Sequence, residues 1–283
     1  MEGNRTLPKI SIITIFYNSE KTIEETIKSV VSQNYENLEY IIIDGGSKDG
    51  TLDIVKKYEN RIATIISEPD EGISDAFNKG IKYSTGEIIG IINSDDVLLP
   101  NALRSIADNY RHDIDVYSGN LLFWDCKTDD TFVSYPELKF DKLKLQYGVA
   151  HPSRFIRKDA YQKYGCYVKE LRYNMDIELL CRFYKNGVSF LYVDKCLAKF
   201  RLGGTTNDNI YKKKADYQYF VKSFGGSSWD FKILWTKAII KYNLIQIGYK
   251  LFGDDLKFKI SRSTFLSSIF YGKTPKYTTK NNE

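Results

Sequence analysis

The chain of 283 residues has only two histidines, and its four cysteines, Cys126, Cys166, Cys181 and Cys196, show no CxxC spacing. A zinc cluster is therefore not expected. No secretory signal precedes the first apolar stretch, so the thiols point to a reduced, cytosolic setting. No window of about 18 apolar residues is free of charge, which argues against a spanning helix. Two phosphate-binding signatures are missing as well. No G-x-G-x-x-G follows the first predicted strand, since the glycine pair of Asp44-Gly45-Gly46-Ser47 follows the second, and this weakens a hydride-transfer reading. GxxxxGK[ST] is also absent. Any phosphates must be held by a metal or by basic side chains.

The composition that remains, 42% hydrophobic and 27% charged, excludes global disorder. Aromatic residues reach 14%, with 22 tyrosines, and suit sugar-facing or interfacial surfaces as readily as a core. The formal charge of +5 is unevenly spread: from Tyr211 onward there are 14 Lys and Arg against 5 Asp and Glu, so the tail is basic and the body slightly acidic. Such a length fits one domain with an extension. We place the domain at 1–206, in halves of about 9–100 and 101–206, and the extension at 207–283.

Patterning predicts an α/β fold. A β-branched strand over Lys9–Phe16 precedes a helix over Glu20–Gln33 with Ser19 as its cap. Short strands at Tyr40–Ile43, Ile62–Ile66 and Ile88–Ile92 alternate with helices over Thr51–Tyr58 and Ser74–Lys82. That alternation implies βαβ units and a mostly parallel sheet. Beyond Pro100 the spacing predicts a helix to Tyr110, a strand near Val116, a hairpin between Leu121 and Val133 turning on Lys127–Asp130, a helix over Met175–Lys185, and strands at Phe190–Val193 and Leu197–Arg201.

The chemistry concentrates at predicted strand ends. Asn93-Ser94-Asp95-Asp96 follows the Ile88 strand. In an open α/β sheet that end faces the ligand crevice. Two hard carboxylate ligands there suit magnesium or manganese bridging phosphates; read alone, the pair is equally a polar turn before a helix. Tyr17-Asn18 and Asp44 end the first two strands and face the same crevice. Asp44 beside Gly-Gly-Ser is by itself a turn residue, but convergence with the others favours a site.

Ser11–Asn18, Ile42–Thr51, Ser67–Gly80 and Asn93–Pro100, four motifs in order, together resemble the family 2 glycosyltransferases with the GT-A fold, the similarity covering roughly Ile10 to Gly204. Within that family the pattern is similar to bacterial enzymes of surface polysaccharide, O-antigen or capsule assembly. The resemblance implies inverting transfer of a hexosyl or N-acetylhexosaminyl group from a nucleotide-sugar donor, with UDP expected, to a saccharide or lipid-linked saccharide acceptor. It implies that Tyr17, the main chain at Ile15, and Asp44 hold the base; that Asp75 lies near the nucleotide; that Asp95 contacts ribose or sugar; and that Asp96 ligates Mn2+ or Mg2+ on the diphosphate. Many members carry a second Asp where this chain has Gly45, which leaves base preference open. Asp176, in Asn174–Leu180, falls where the family's catalytic base opens a helix; without the resemblance, an Asp in a first turn is an ordinary helix-dipole partner. His151 and Arg201 stand at positions that imply substrate or diphosphate contacts, although lone residues of these types are commonly structural.

A metal-dependent nucleotidyltransferase would use a similar sheet and Asp pair, and a non-catalytic nucleotide-sugar-binding partner would bind without turnover. In the tail, a helix over Phe231–Phe252 would align Ile233, Ile240, Leu244, Ile247 and Leu251 between Lys232 and Lys250 on one border and Lys237 and Lys241 on the other. That pattern suits a membrane surface, or a helix packed on the domain through Leu234, Ala238 and Ile245. Lysines that follow an apolar stripe on a chain with an acidic body do not suit nucleic acid.

Overall fold

The computed structural model describes residues 7–126, 129–136, 151–202 and 210–252. Isoleucine-rich runs form β1 (Ile10–Phe16), β2 (Leu38–Asp44) and β4 (Ile88–Asn93), and every residue of β1 is buried. Strands covered on both faces read as continuous apolar runs, which is why these do not alternate in polarity. With β3 (Thr64–Ser67), β5 (Val97–Leu98), β6 (Val116–Asp125), β7 (Asp130–Ser134), β8 (Arg154–Arg157) and β9 (Phe190–Arg201), they form one mixed sheet of order β3-β2-β1-β4-β8-β6-β9-β5, with β7 paired to β6. The first four strands run parallel; β8 lies antiparallel to both β4 and β6.

Parity along the strands divides the core. Ile10, Ile12, Ile42, Ile88 and Ile92 pack with α1 (Ile23–Val31), α2 (Thr51–Lys56) and α4 (Ala102–Asp108) on one face. Ile13, Ile15, Ile41, Ile43, Ile89 and Ile91 pack with α3 (Ile73–Tyr83), α5 (Lys158–Tyr164) and α6 (Met175–Lys185) on the other. In α1, Ile23, Ile27 and Val30 are the buried apolar positions, the spacing of a helix that docks one stripe. The basic region supplies a 3-10 turn (Ile210–Lys213), α7 (Lys214–Ser223) and α8 (Ser228–Phe252).

Gly90 lies at the centre of the sheet because neighbours fill its side-chain space: a Cβ there would sit 2.6 Å from Phe155 Cε1 and 2.9 Å from Ile12 Cδ1. Gly90→Ala is therefore expected to destabilise the fold by about 1–3 kcal/mol through overpacking. A lowered urea midpoint with an unchanged slope checks this.

Three local expectations change. Ser19 does not cap α1 with its hydroxyl: the first residue before the helix is Thr22, without a side-chain cap, and Ser19 contributes its carbonyl to the N–H groups of Thr22 and Ile23. The two strands expected at Phe190–Val193 and Leu197–Arg201 are one, because register shifts around Asn120 of β6 absorb the polar Asp194–Cys196 segment without ending the pairing. β5, β8 and α5 were not legible at all. The Leu121–Val133 hairpin is present as β6 and β7, and Lys127 and Thr128 of its turn lie outside the described residues.

Candidate active site

Parallel register brings the predicted residues to one edge. Phe16 pairs with Asp44, Ile15 with Asn93, and Asp44 with Ser67, so the loops after β1, β2 and β4 leave the sheet side by side. Hydrogen bonds stitch them together: Asn18 N–H donates to Ser47 Oγ (2.8 Å) and Lys48 N–H to Asn18 Oδ1 (2.8 Å). Tyr17 remains 58% exposed at this rim, its ring open to a ligand, whereas Asp44 is fully buried. The Asp44 carboxylate accepts from Ser47 N–H (2.9 Å) and Ser67 Oγ (2.7 Å) and so shapes the loop around it. Gly46 takes φ +86° beside it, a left-handed conformation that suits glycine. The absent side chain at Gly45 makes room for Asp70, whose Oδ2 would lie 2.4 Å from a Cβ at position 45. A carboxylate from the Ser67–Gly80 motif thus comes into the space beside position 45.

Asp75 is bound on both sides, by Lys169 (2.5 Å) and Lys79 (3.3 Å), and the bond from Lys169 holds its carboxyl below the ordinary range. Asp95 and Asp96 sit on a loop fastened to α1: Thr26 Oγ1 donates to the Asp96 carbonyl (2.7 Å), and Ser29 Oγ accepts from Leu98 N–H (3.0 Å). β9 closes over that loop. Arg201 N–H reaches Asp96 Oδ1 (3.3 Å), its Nε donates to the Asp95 carbonyl (3.2 Å), and its guanidinium pairs with Glu25 and stacks 4.3 Å from the Trp124 ring centroid. Arg201 is thus committed to the protein in this arrangement. Gly203 and Gly204, which follow it, lie outside the described residues, as do Gly148–Ala150 before His151.

On the opposite side of β4, the antiparallel β8 begins at the same edge. His151, in the 3-10 turn His151–Ser153, stacks on Phe77 of α3 with ring centroids 4.8 Å apart. Arg154 is 3% exposed and donates to Tyr167 Oη (3.2 Å); Tyr167 is itself pinned by two hydrogen bonds with the Asn78 side chain. Asp176 opens α6, where its Oδ1 accepts from Ile177 N–H (2.8 Å). Glu178, by contrast, turns away into a two-bonded ion pair with Arg182. Asp216 of α7 accepts from the N–H groups of Tyr173 (2.8 Å) and Asn174 (3.0 Å), which ties the basic region to the start of α6.

Among the described residues, the buried side-chain atoms without a hydrogen-bond partner are Asn93 Oδ1, Asp96 Oδ2, Ser118 Oγ, both ring nitrogens of His151, Arg154 Nη1 and Asn174 Nδ2. All belong to elements that meet at this edge. An unmet buried polar atom costs about 1–3 kcal/mol, so their concentration in one place marks a site built for a polar ligand. Asn174 opens the Asn174–Leu180 segment noted in the sequence, whereas Arg154 is legible only here.

Charge is equally concentrated. Burial, then repulsion from Asp95, pushes the Asp96 carboxyl well above the ordinary range, and burial raises Asp95 too. Burial raises Asp176 against the opposing pull of Arg154, and burial with the Arg154 charge drives His151 well below its usual value. No group of three or more His, Cys, Asp or Glu among the described residues could hold a metal alone. The site fits a divalent ion nevertheless: Asp96 Oδ2 offers an unmatched buried lone pair, and a magnesium-like ion takes one or two carboxylates and completes its shell with phosphates and water.

The sheet is mixed, not mostly parallel as the alternation predicted, because β7, β8 and β5 pair antiparallel; its parallel part, β1 to β4, carries acidic loops at the carboxyl ends of its strands, the edge where open α/β sheets form ligand crevices. Residues 11–165 match the family described as Glycosyl transferase family 2, and the chain belongs to that family. The putative glycosyltransferase EpsE of Bacillus subtilis is 30% identical over 69% of this chain and 73% of its own length. TuaG of the same organism, described as a putative teichuronic acid biosynthesis glycosyltransferase, is 28% identical over 76% and 87%. Among solved structures, Staphylococcus aureus TarS 1–349 in complex with UDP-GlcNAc aligns with a TM-score of 0.58 at 18% identity, covering 93% of this chain and 78% of that one. The mannosyltransferase PcManGT of Pyrobaculum calidifontis, in complex with GDP-Man and Mn2+, aligns with a TM-score of 0.61 at 13% identity, covering 93% and 81%. The fold is GT-A.

Proposed function

We propose that this glycosyltransferase moves a sugar, with inversion, from a UDP-sugar to a hydroxyl of a polysaccharide precursor or lipid-linked saccharide. The observation that carries this reading is a division of labour at one edge: a carboxylate pair with an unmatched oxygen at the end of β4, and a separate raised carboxylate, Asp176, opening α6. A nucleotide-sugar donor is supported by the likeness to folds solved with UDP-GlcNAc and with GDP-Man, between which UDP is our choice from the motif resemblance, and a polysaccharide setting by the likeness to TuaG. The domain is residues 1–206 and the extension 207–283.

In this account Tyr17 stacks on the uracil and the Ile15 main chain and Asp44 shape its pocket, with Asp75 nearby. Asp95 meets the ribose or sugar, and Asp96 holds Mn2+ or Mg2+. The metal, when bound, offsets charge developing on the departing diphosphate. Asp176 accepts the proton of the acceptor hydroxyl as its oxygen attacks the anomeric carbon from the face opposite the diphosphate, so that the configuration inverts. A carboxyl raised by burial suits that step, since a base is most effective when its pKa approaches the working pH. His151 and Arg201 are assigned contacts to substrate or diphosphate. Incubation with a panel of UDP-sugars and saccharide acceptors, with the product anomer read by NMR, tests the assignment: an inverted product with UDP released supports it, and retention or pyrophosphate release contradicts it.

The acceptor's setting follows from α8. Trp229, Ile233, Ile240, Leu244, Ile247 and Leu251 are each at least 51% exposed. At about 100° per residue they occupy an arc of about 60°, with Lys232 and Lys250 beyond one edge and Lys237 beyond the other. Trp235 on the far side packs against Tyr211 and Tyr217, so the helix is held to the protein by one face and presents the apolar stripe on another. No described helix is long and apolar enough to cross a membrane. A stripe flanked by lysines suits peripheral contact with an anionic bilayer, where each Lys contributes about 1 kcal/mol. Lys232→Gln, Lys237→Gln and Lys250→Gln together are expected to weaken binding to phosphatidylglycerol vesicles on the order of 100-fold, read by cosedimentation. Unchanged binding would contradict the electrostatic part of this reading.

A further inference from the structure

We propose that the basic extension is part of the catalytic site: Asp216 of α7 is a positioning residue that caps α6 from outside and fixes the turn leading into Asp176. The inference rests on Asp176 being the base, and adds to that reading a residue from a distant element that no pattern in the sequence connects with it.

α6 lacks a side-chain cap of its own. Asn174 stands at the N-cap position, where an asparagine side chain ordinarily accepts from the leading backbone N–H groups, yet it makes no such bond and its Nδ2 has no partner. The Asn174 carbonyl does take a helical bond, from Glu178 N–H (2.9 Å), so the helix starts here and its leading donors need an acceptor from elsewhere. Asp216 supplies one: its Oδ2 accepts from both Tyr173 N–H (2.8 Å) and Asn174 N–H (3.0 Å). Negative charge at this end also complements the helix dipole. Asp216 is only 4% exposed, and burying a carboxylate is expensive unless hydrogen bonds meet it. The contact is therefore a specific one, tying a buried group of the extension to the start of the helix that carries the base.

The other end of the same segment is clamped from the donor side. The Asn78 side chain of α3 makes two hydrogen bonds with the Tyr167 main chain (2.8 and 2.9 Å), Ser74 Oγ donates to the Leu171 carbonyl (2.9 Å), and Lys169 pairs with Asp75 (2.5 Å). The segment from Tyr167 to Leu171 is thus fixed to α3, and Tyr173 and Asn174 are fixed to α7. Asp176 follows directly, so its place relative to the donor depends on both clamps. The α7 clamp is itself held. Phe220 and Val221 are buried, and the ring of Tyr217, next to Asp216, lies 5.6 Å from that of Trp235 in α8. Lys213 lies 5.3 Å from the centroid of the Tyr173 ring and adds a second contact between extension and turn. A misplacement of about 1 Å at a reacting group can cost about 100-fold in rate, so a clamp on this turn acts on turnover more than on donor binding.

Hydrogen–deuterium exchange of the full chain, read on peptides that cover Tyr173 to Glu178, tests the clamp without donor or acceptor. Asp216→Ala is expected to speed exchange there by about 10-fold or more, through loss of two bonds to a charged group, while β1 and β4 exchange as in the wild type. Asp216→Asn, which keeps an acceptor oxygen, is expected to fall between the two and supplies the reading if the alanine variant does not fold. Calorimetry and initial rates separate positioning from a purely structural role: UDP affinity with manganese is expected to match the wild type, while kcat for the UDP-sugar that the wild type turns over falls by about 10-fold with the donor KM unchanged. Unchanged exchange in the folded variants, or UDP affinity and kcat falling together, would overturn the proposal. The base assignment fails differently, through normal turnover in Asp176→Asn, and the exchange result does not depend on it.

Discussion

Asp176→Asn is expected to bind UDP with manganese as tightly as the wild type and to lose transfer by about 10²–10⁴-fold, the usual contribution of a positioned general base. Asparagine fills the same space and can still accept from Ile177 N–H, which Asp176 bonds at 2.8 Å, so the helix start survives and only proton acceptance is lost. The pH dependence of the wild type should carry the same signature. Burial raises the Asp176 carboxyl above the ordinary carboxylate range; the base works only when ionised, so activity is lost as pH falls through that raised value, and the acidic limb lies above the position of an exposed aspartate. Calorimetry for binding and initial rates for kcat separate the two effects. Normal turnover in Asp176→Asn would remove it as the base.

Asp96→Ala should fail at an earlier stage. Asp96 is fully buried, its Oδ1 receives Arg201 N–H at 3.3 Å, and its Oδ2 has no partner. Replacing it with alanine removes the carboxylate that would fix the metal against the diphosphate, worth several kcal/mol in the transition state and hence about 10³-fold or more in rate. It also removes the metal's effect on binding, so manganese should no longer strengthen UDP affinity in the variant. The scaffold should tolerate the change, because the loop stays tied through the Asp96 carbonyl, bonded by Thr26 at 2.7 Å, when the longer bond from Arg201 N–H to the side chain is lost. Equal manganese dependence in variant and wild type would place the metal elsewhere.

The sequence was most informative where local pattern and tertiary role coincide. β1, β2 and β4 were legible as apolar runs because both faces of a central parallel strand are covered, and α6 was legible to the residue, Met175–Lys185, because its buried positions keep helical spacing. The convergence of Tyr17, Asp44, Asp95 and Asp96 followed from strand polarity alone, since parallel neighbours deliver their ends to one edge. What escaped notice depends on contacts distant in sequence. β8 has four residues, too few to show a period, and is specified by the two strands it separates. Arg154 there looks like any surface arginine until the sheet buries it. Asp70 gains meaning only because Gly45, 25 positions earlier, leaves it space. The continuous β9 was read as two strands because its polar middle is absorbed by a bulge in a partner that the local pattern does not name.

The central claim is that this edge binds a nucleoside diphosphate through a metal. Calorimetric titration of the wild-type protein with UDP and with GDP, each with and without manganese, tests it most directly. The account predicts UDP binding that depends on manganese and exceeds GDP binding under the same conditions; no binding of either nucleotide in any condition would contradict it.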